Sequence, residues 1–150
     1  MKRLLLLALV WGTALCGLRA EAVWLTDYVQ AINTARKEQK PLFIDFTGSD
    51  WCGWCVKFDK EVLSTPEFEA YAQDKLVLLR ADFPQKHPLP VALTQQNQSL
   101  AQKYKVDGFP TLLLISPTEK VLARFDGYQE GGPQPFIERL KKDAGSPYRP

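Results

Sequence analysis

Apolar residues follow two different spacings along this chain, and together they predict alternating strands and helices. Short unbroken apolar runs are typical of buried strands, whereas apolar residues three or four apart are typical of helices with one buried face. The strand-like runs are residues 42–46, 76–83, 111–115 and 121–125. A turn at residues 117–120 separates the last two runs, so we expect those two strands to form an antiparallel hairpin.

The helical spacing occurs five times, and several helices have recognisable start signals. The first helix has an apolar face of Tyr28, Val29, Ile32 and Ala35. Either Thr26 or Asp27 can cap it. The other four are predicted near Cys52 or Gly53, after a Ser-Thr-Pro cap at residues 64–66, through Leu100 to Tyr104, and after Gly-Gly-Pro at residues 131–133.

The predicted order of elements is helix, strand, helix, strand, helix, strand, strand, helix. Strands that alternate with helices form a central sheet covered on both faces. We therefore predict an α/β fold with a central mixed sheet and helices on both faces. In open sheets of this class, ligands bind at the carboxyl ends of the strands. The segment that follows the strand at residues 42–46 is thus a candidate site.

The first 22 residues follow neither pattern and are typical of a secretory signal. Lys2 and Arg3 precede an apolar run at residues 4–15, and Ala20 and Ala22 are small residues at the positions that a signal peptidase requires. We expect cleavage after Ala22, leaving one domain over residues 23–150 with a flexible tail at 145–150. An uncleaved membrane anchor is the alternative, although the run is shorter than the ~20 residues of a spanning helix.

The charge of the chain argues against some classes of binding partner. The whole sequence has 19 basic and 17 acidic residues, and the expected signal contains Lys2, Arg3, Arg19 and Glu21, which leaves 16 of each sign. A balanced charge does not favour nucleic acid or an anionic membrane as a partner. An exported protein also meets oxidising conditions, in which disulfides persist.

Two cysteines remain after the signal, Cys52 and Cys55 in the stretch SDWCGWC. This spacing is typical of half a zinc site or of a redox centre. A structural zinc site needs four ligands, usually cysteine or histidine, and beyond the two cysteines the only such residue in the mature chain is His87, in a proline-rich loop. We therefore expect a redox-active pair with no metal and no other cofactor.

The position of the pair predicts a different role for each sulfur. If Cys52 begins a helix, the free backbone N–H groups and the helix dipole favour its thiolate and lower its pKa. Cys52 is then the attacking sulfur. Cys55, one turn later and more buried, is the resolving thiol.

The stretches FIDFTGSDWCGWC and VDGFPTLLLIS resemble the thioredoxin superfamily, and more narrowly its exported bacterial disulfide reductases. The resemblance covers about residues 24–143 and implies a thioredoxin-like fold and a periplasmic location. It implies that Pro110 is a cis-proline facing the cysteines, with Phe109 pairing its backbone with a substrate strand. A trans proline that ends a loop is the alternative.

The resemblance also implies that Asp45 is the buried acid that moves the proton of the resolving cysteine. Asp45 lies seven residues before Cys52, one more than in ordinary thioredoxin, so the turn contains an insertion. A plain strand-end role for Asp45 stays open.

The remaining candidate residues surround Cys52. We interpret Trp51, Gly53 and Trp54, together with Phe109, as substrate-binding residues that offer a flat apolar surface to unfolded protein. Trp51 is expected to be partly packed and Trp54 exposed. Lys57 could favour the thiolate and Asp50 could oppose it, or both are solvated surface charges.

The residues between the cysteines, Gly53 and Trp54, suggest the direction of the reaction. A histidine there would stabilise the thiolate and make the disulfide oxidising. Its absence favours reduction over oxidation. With the expected export signal, we therefore predict a thiol-disulfide oxidoreductase that reduces or reshuffles disulfides in periplasmic proteins, and we expect it to be a monomer. Its electron donor, membrane-bound or soluble, is not identified by the sequence. Two alternatives are reduction of thiols for cytochrome c maturation and a non-catalytic binding or holdase module.

Overall fold

The four apolar runs form four strands of a five-stranded mixed sheet in the computed structural model, which describes residues 22–144. The strands are β1 (Trp24–Leu25), β2 (Leu42–Thr47), β3 (Val77–Asp82), β4 (Thr111–Ile115) and β5 (Val121–Asp126). Their order across the sheet is β1-β3-β2-β4-β5. β3 is parallel to both β1 and β2, while β4 is antiparallel to β2 and β5.

Within residues 22–144, five α-helices surround this sheet. They are α1 (Tyr28–Glu38), α2 (Gly53–Phe58), α3 (Pro66–Lys75), α4 (Val91–Lys103) and α5 (Pro133–Ala144). A π-helical turn, Asp59–Leu63, continues α2. The predicted start signals are confirmed, since the Asp27 carboxylate accepts a hydrogen bond from the Gln30 N–H and Pro66 follows a Thr65 cap.

Two apolar layers cover the two faces of the sheet. Phe43, Phe58, Phe68 and Phe136 belong to the layer formed with α2, α3 and α5. Ile32, Ile44, Phe46 and Leu100 belong to the layer formed with α1 and α4. Successive residues of β2 point to opposite faces, so Asp45 shares the face of Phe43. The predicted α/β, thioredoxin-like fold with helices on both faces is confirmed.

The structure differs from the sequence prediction in two places. β1 was not predicted, and it pairs Trp24 with Leu78 and Leu25 with Leu79 at the edge of the sheet. Val29 was placed on the buried face of α1 but is 63% exposed, because Ala31, Ile32 and Ala35 face the sheet instead.

The expected signal peptide and the expected tail at 145–150 lie outside the described residues, except for Ala22 at the signal's end. Across residues 22–144, every helix is too short or too polar to cross a membrane.

Candidate active site

The carboxyl end of β2 leads directly into the two cysteines. After Thr47 the chain makes a tight turn, in which the Cys52 N–H donates to the Gly48 carbonyl over 2.9 Å. A Cβ at Gly48 would lie 2.5 Å from Cε2 of Trp51, so this turn has room only for glycine. The turn delivers Cys52 to the N-cap position of α2.

Cys52 and Cys55 are joined by a disulfide bond. The Cys55 N–H donates to the Cys52 Sγ over 3.2 Å, so the start of the helix points a backbone donor at this sulfur. Both residues are buried, with Cys52 at 7% exposure and Cys55 at 3%. The N–H groups at a helix start stabilise a thiolate at this position.

The Phe109–Pro110 peptide bond is cis, as the resemblance implies. The antiparallel register pairs Phe46 with Thr111, which places Pro110 beside the end of β2, where the cysteine turn begins. The Phe109 ring contacts that turn, since it lies edge-on to Trp51 with 5.8 Å between ring centroids.

Trp51 and Trp54 are both at the surface and are held differently. The Trp51 indole N–H donates to the Phe83 carbonyl over 2.7 Å, and the residue is 42% exposed. Trp54 is 59% exposed and leans on the ring of Tyr128, at a centroid distance of 5.5 Å. These positions match the expected partial packing of Trp51 and exposure of Trp54.

Lys57 has a partner that the sequence did not indicate. Its ammonium lies 4.7 Å from the ring centroid of Tyr128 and 5.3 Å from that of Trp54, so it forms cation–π contacts with both. The Tyr128 hydroxyl donates to the Glu61 carboxylate. A lone aromatic in the polar segment after β5 was the only sequence signal for Tyr128.

Asp50 anchors a loop. Its carboxylate accepts hydrogen bonds from the backbone N–H groups of Gln85, Lys86 and His87, over 2.9, 2.7 and 3.2 Å. These bonds, the one from Gln85 above all, lower the pKa of Asp50. The neighbouring Ser49 donates to Asp82 through both its N–H and its hydroxyl. The turn before Cys52 is thus tied to the end of β3 and the loop that follows it.

Asp45 is buried in the sheet beside Arg80. Burial raises its pKa to about 7, against the opposing effect of the Arg80 guanidinium, while Asp59 and Asp82 add to the increase. A carboxyl that titrates near neutral pH is suited to exchange protons at that pH. Arg80, which pairs with Asp45, also lines a pocket of about 160 Å³ together with Thr47, Ser49, Cys55, Val56 and Asp59.

Sequence reasoning missed Arg80 and Asp59, although both lie with Cys55 around this pocket. The signal was a lone arginine inside the apolar run at residues 76–83. For the described part of the chain, no three His, Cys, Asp or Glu side chains are grouped so that they could hold a metal ion.

Comparison with known proteins extends this picture. A family model described as thioredoxin-like matches residues 23–117. The disulfide bond reductase DsbH of Chlamydia pneumoniae is 40% identical over 115 residues, which cover 77% of this chain and 69% of DsbH. The thioredoxin-related protein DsbJ of the same organism is 35% identical over 71% of this chain, a match that spans only 30% of DsbJ.

A solved structure of a DsbH oxidoreductase has a TM-score of 0.79 and 38% identity to this chain, covering 83% of this chain and 85% of that one. The matched family region contains the cysteine turn and the cis-proline described above. The chain therefore belongs to the thioredoxin-like family, and it is a thiol-disulfide oxidoreductase with a Cys-x-x-Cys pair at Cys52 and Cys55.

Proposed function

We propose that this protein reduces or reshuffles disulfide bonds in periplasmic proteins by cycling Cys52 and Cys55 between dithiol and disulfide. One observation carries the proposal: the Cys52 sulfur sits at the start of α2 and accepts a hydrogen bond from the Cys55 N–H. That position favours the thiolate, which is the form that attacks a disulfide. Cys52 is therefore the proposed nucleophile.

The reaction proceeds in two thiol exchanges. The Cys52 thiolate attacks one sulfur of the substrate disulfide, and the other substrate sulfur leaves as a thiolate and takes a proton from solvent. Cys55 then gives its proton to Asp45 and attacks the Cys52 sulfur, which releases the second substrate thiolate and forms the Cys52–Cys55 disulfide. Two electrons pass from the dithiol to the substrate.

The proposed substrate surface consists of Trp51, Gly53, Trp54 and the backbone of Phe109. A Cβ built at Gly53 meets no atom of the described residues within 4 Å, so an approaching chain has room beside Cys52. The two exposed indole rings flank that opening in sequence and offer apolar area to an unfolded segment. Phe109 lies next to the cis-proline, at the end of β4 that adjoins the cysteine turn.

Two features favour reduction over oxidation. No histidine stands between the cysteines, so the thiolate lacks the donor that would make the disulfide strongly oxidising. A relative that shares 40% identity is named as a disulfide bond reductase. A separate dithiol protein, soluble or in the membrane, must then return two electrons to Cys52 and Cys55 after each cycle.

Insulin reduction in the presence of dithiothreitol tests the activity. We expect the wild type to accelerate reduction and the Cys52→Ser variant to be inactive. Binding of unfolded insulin without any acceleration would support a holdase instead. Equilibration with glutathione tests the direction, and a potential near the −120 mV of DsbA would contradict the reductase proposal.

We also propose that residues 1–22 are a cleaved export signal and that residues 23–150 form one monomeric domain. β1 begins at Trp24, so cleavage after Ala22 leaves every described element in place. Mass spectrometry of the protein from the periplasm should give a chain that begins at Val23, and size-exclusion chromatography should give a monomer. A retained segment 1–22 would favour the anchor.

A further inference from the structure

The guanidinium of Arg80 lies between two carboxylates and contacts them unequally. Its Nη2 is 2.5 Å from Oδ1 of Asp59, while its Nε is 3.4 Å from Oδ2 of Asp45. The Nε atom is buried and has no hydrogen-bond partner among the described residues. Arg80 thus forms a short charge-assisted hydrogen bond with Asp59 and a longer ion pair with Asp45, in which the Nε does not reach good hydrogen-bond geometry.

The short contact with Asp59 is unexpected, because Asp45, unlike Asp59, is a direct strand neighbour of Arg80. The parallel register places Asp45 directly beside Arg80, on neighbouring strands. A buried carboxylate gains more from a hydrogen-bonded guanidinium than an exposed one does. Other contacts must therefore keep the Arg80 guanidinium oriented towards Asp59.

Two contacts hold it there. The Trp24 ring of β1 lies 4.4 Å from the Arg80 Cζ, so one face of the guanidinium is covered. Asp59 begins the π-helical turn, and its second oxygen accepts a hydrogen bond from the Ser64 hydroxyl over 3.0 Å. The Asp59 carboxylate is thus fixed at one end of the turn and presents its other oxygen to Arg80.

We propose that Asp59 is a positioning residue for proton transfer, which holds the Arg80 guanidinium away from Asp45 and so keeps the Asp45 carboxyl able to accept and release a proton. This inference rests on the proposed role of Asp45 as the acceptor of the Cys55 proton. Asp59 and Arg80 line the pocket that also reaches Cys55, so the competition takes place beside the thiol concerned.

The sign of the effect follows from the charges that act on Asp45. These are Arg80 and Asp82 on β3 and Asp59 on the π-helical turn. Removal of the Asp59 charge eliminates one repulsive group and frees Arg80 to donate to Asp45. Both changes favour the ionised form of Asp45, so both lower its pKa.

The experiment compares the wild type with Asp59→Asn and with Ser64→Ala, which keeps the carboxylate but removes its hydroxyl partner. The pKa of Asp45 is measured from the pH dependence of its ¹³C carboxyl shift in the oxidised protein. Asp59→Asn should lower this pKa by about one unit or more, the range for a carboxyl that gains an arginine partner. Ser64→Ala should shift it by much less, and thermal unfolding checks that both variants fold.

A second readout separates this inference from the proposed function. If Asp45 is the base, the rate at which Cys55 resolves a mixed disulfide rises as pH passes the Asp45 pKa. In Asp59→Asn the midpoint of that rise should move down with the carboxyl titration. A carboxyl pKa that stays unchanged or rises overturns the competition for Arg80. A carboxyl pKa that falls while the rate midpoint stays in place instead removes Asp45 from the proton transfer, and with it the positioning role of Asp59.

Discussion

Cys52 and Cys55 carry the same side chain in different surroundings. Cys52 caps α2, where a backbone N–H reaches its sulfur. Cys55 lies within the first turn of α2, and its side chain lines the pocket that also contains Arg80 and Asp59. These surroundings support the proposed roles, in which Cys52 attacks as a thiolate and Cys55 loses its proton during the second exchange.

This difference predicts which cysteine traps a substrate. Cys55→Ser should accumulate a mixed disulfide between Cys52 and a substrate peptide, because no resolving thiol remains. Cys52→Ser should accumulate none. Non-reducing electrophoresis and mass spectrometry of the adduct measure both. Rapid alkylation of Cys55 in the reduced wild type, with Cys52 left unmodified, would reverse the assignment.

Asp45 makes the stability of the fold depend on pH. Its pKa is about 7 in the folded protein against an ordinary value of 3.8, so the folded state binds more protons than the unfolded state between those values. Through this residue, the free energy of unfolding falls as pH rises across that window, by at most about 1.4 kcal/mol per pH unit. Below the ordinary pKa of 3.8, Asp45 is protonated in both the folded and the unfolded state, so it no longer makes the free energy of unfolding depend on pH.

Asp45→Asn should remove this decline, because the amide does not ionise. We expect the variant to match or exceed the wild-type stability at pH 8 and to lose that advantage at pH 5. Chemical denaturation of the oxidised proteins at both values gives the comparison, in which other titrating groups cancel. Parallel pH profiles for wild type and variant would show that Asp45 is ionised throughout.

Trp54, the second of the two residues between the cysteines, provides a third prediction. In Trp54→His, an imidazole can donate to the Cys52 thiolate and stabilise the reduced form, so the potential should rise by tens of millivolts. This magnitude follows because ~30 mV corresponds to about 1.4 kcal/mol and a hydrogen bond to a charged group contributes about 1.5–3 kcal/mol. Trp54→Phe, which keeps a ring against Tyr128, is the matched control. Equal potentials for His and Phe variants would contradict this explanation.

At the scale of elements, the turn between β2 and α2 is stabilised by contacts with β3 and the segment after it. Ser49, Asp50 and Trp51 each form a hydrogen bond to residues 82–87. These bonds hold the turn in which the spacing of Asp45 and Cys52 predicts one extra residue. The start of the proline-rich loop is thereby bonded to the turn that carries Cys52.

Asp50→Ala should release that loop. Without the carboxylate, the N–H groups of Gln85, Lys86 and His87 lose their acceptors, so their amides should exchange with solvent faster. Hydrogen–deuterium exchange measures this, with the hairpin between β4 and β5 as an internal reference. Unchanged protection at residues 85–87 would show that the loop is held by other contacts.

At the scale of the whole molecule, sequence patterns predicted those strands and helices whose formation depends on residues close together in the chain. The apolar runs became β2 to β5, and the caps at Asp27 and Thr65 begin helices, because each depends on neighbouring residues. The cysteine pair was recognisable for the same reason. β1 was not, since two residues are too few to show a period, and they form a strand only by pairing with β3.

The charged cluster beside Cys55 could not be predicted for a related reason. Asp45, Asp59 and Arg80 come from three separate elements, and only the sheet register and the π-helical turn bring them together. Tyr128 likewise reaches Trp54 from the segment after β5. Such groupings depend on tertiary packing, to which a single sequence gives no direct access.

The contact between Trp24 and Arg80 has a practical consequence for how the protein is prepared. The Trp24 ring, which covers one face of the Arg80 guanidinium, lies two residues after the expected cleavage position, so the proposed cleavage would leave this contact at the amino terminus of the mature chain. A preparation truncated to begin after Trp24 would lack this ring while keeping both cysteines. Under the proposed roles of Arg80 and Asp45, it would resolve mixed disulfides with an altered pH dependence.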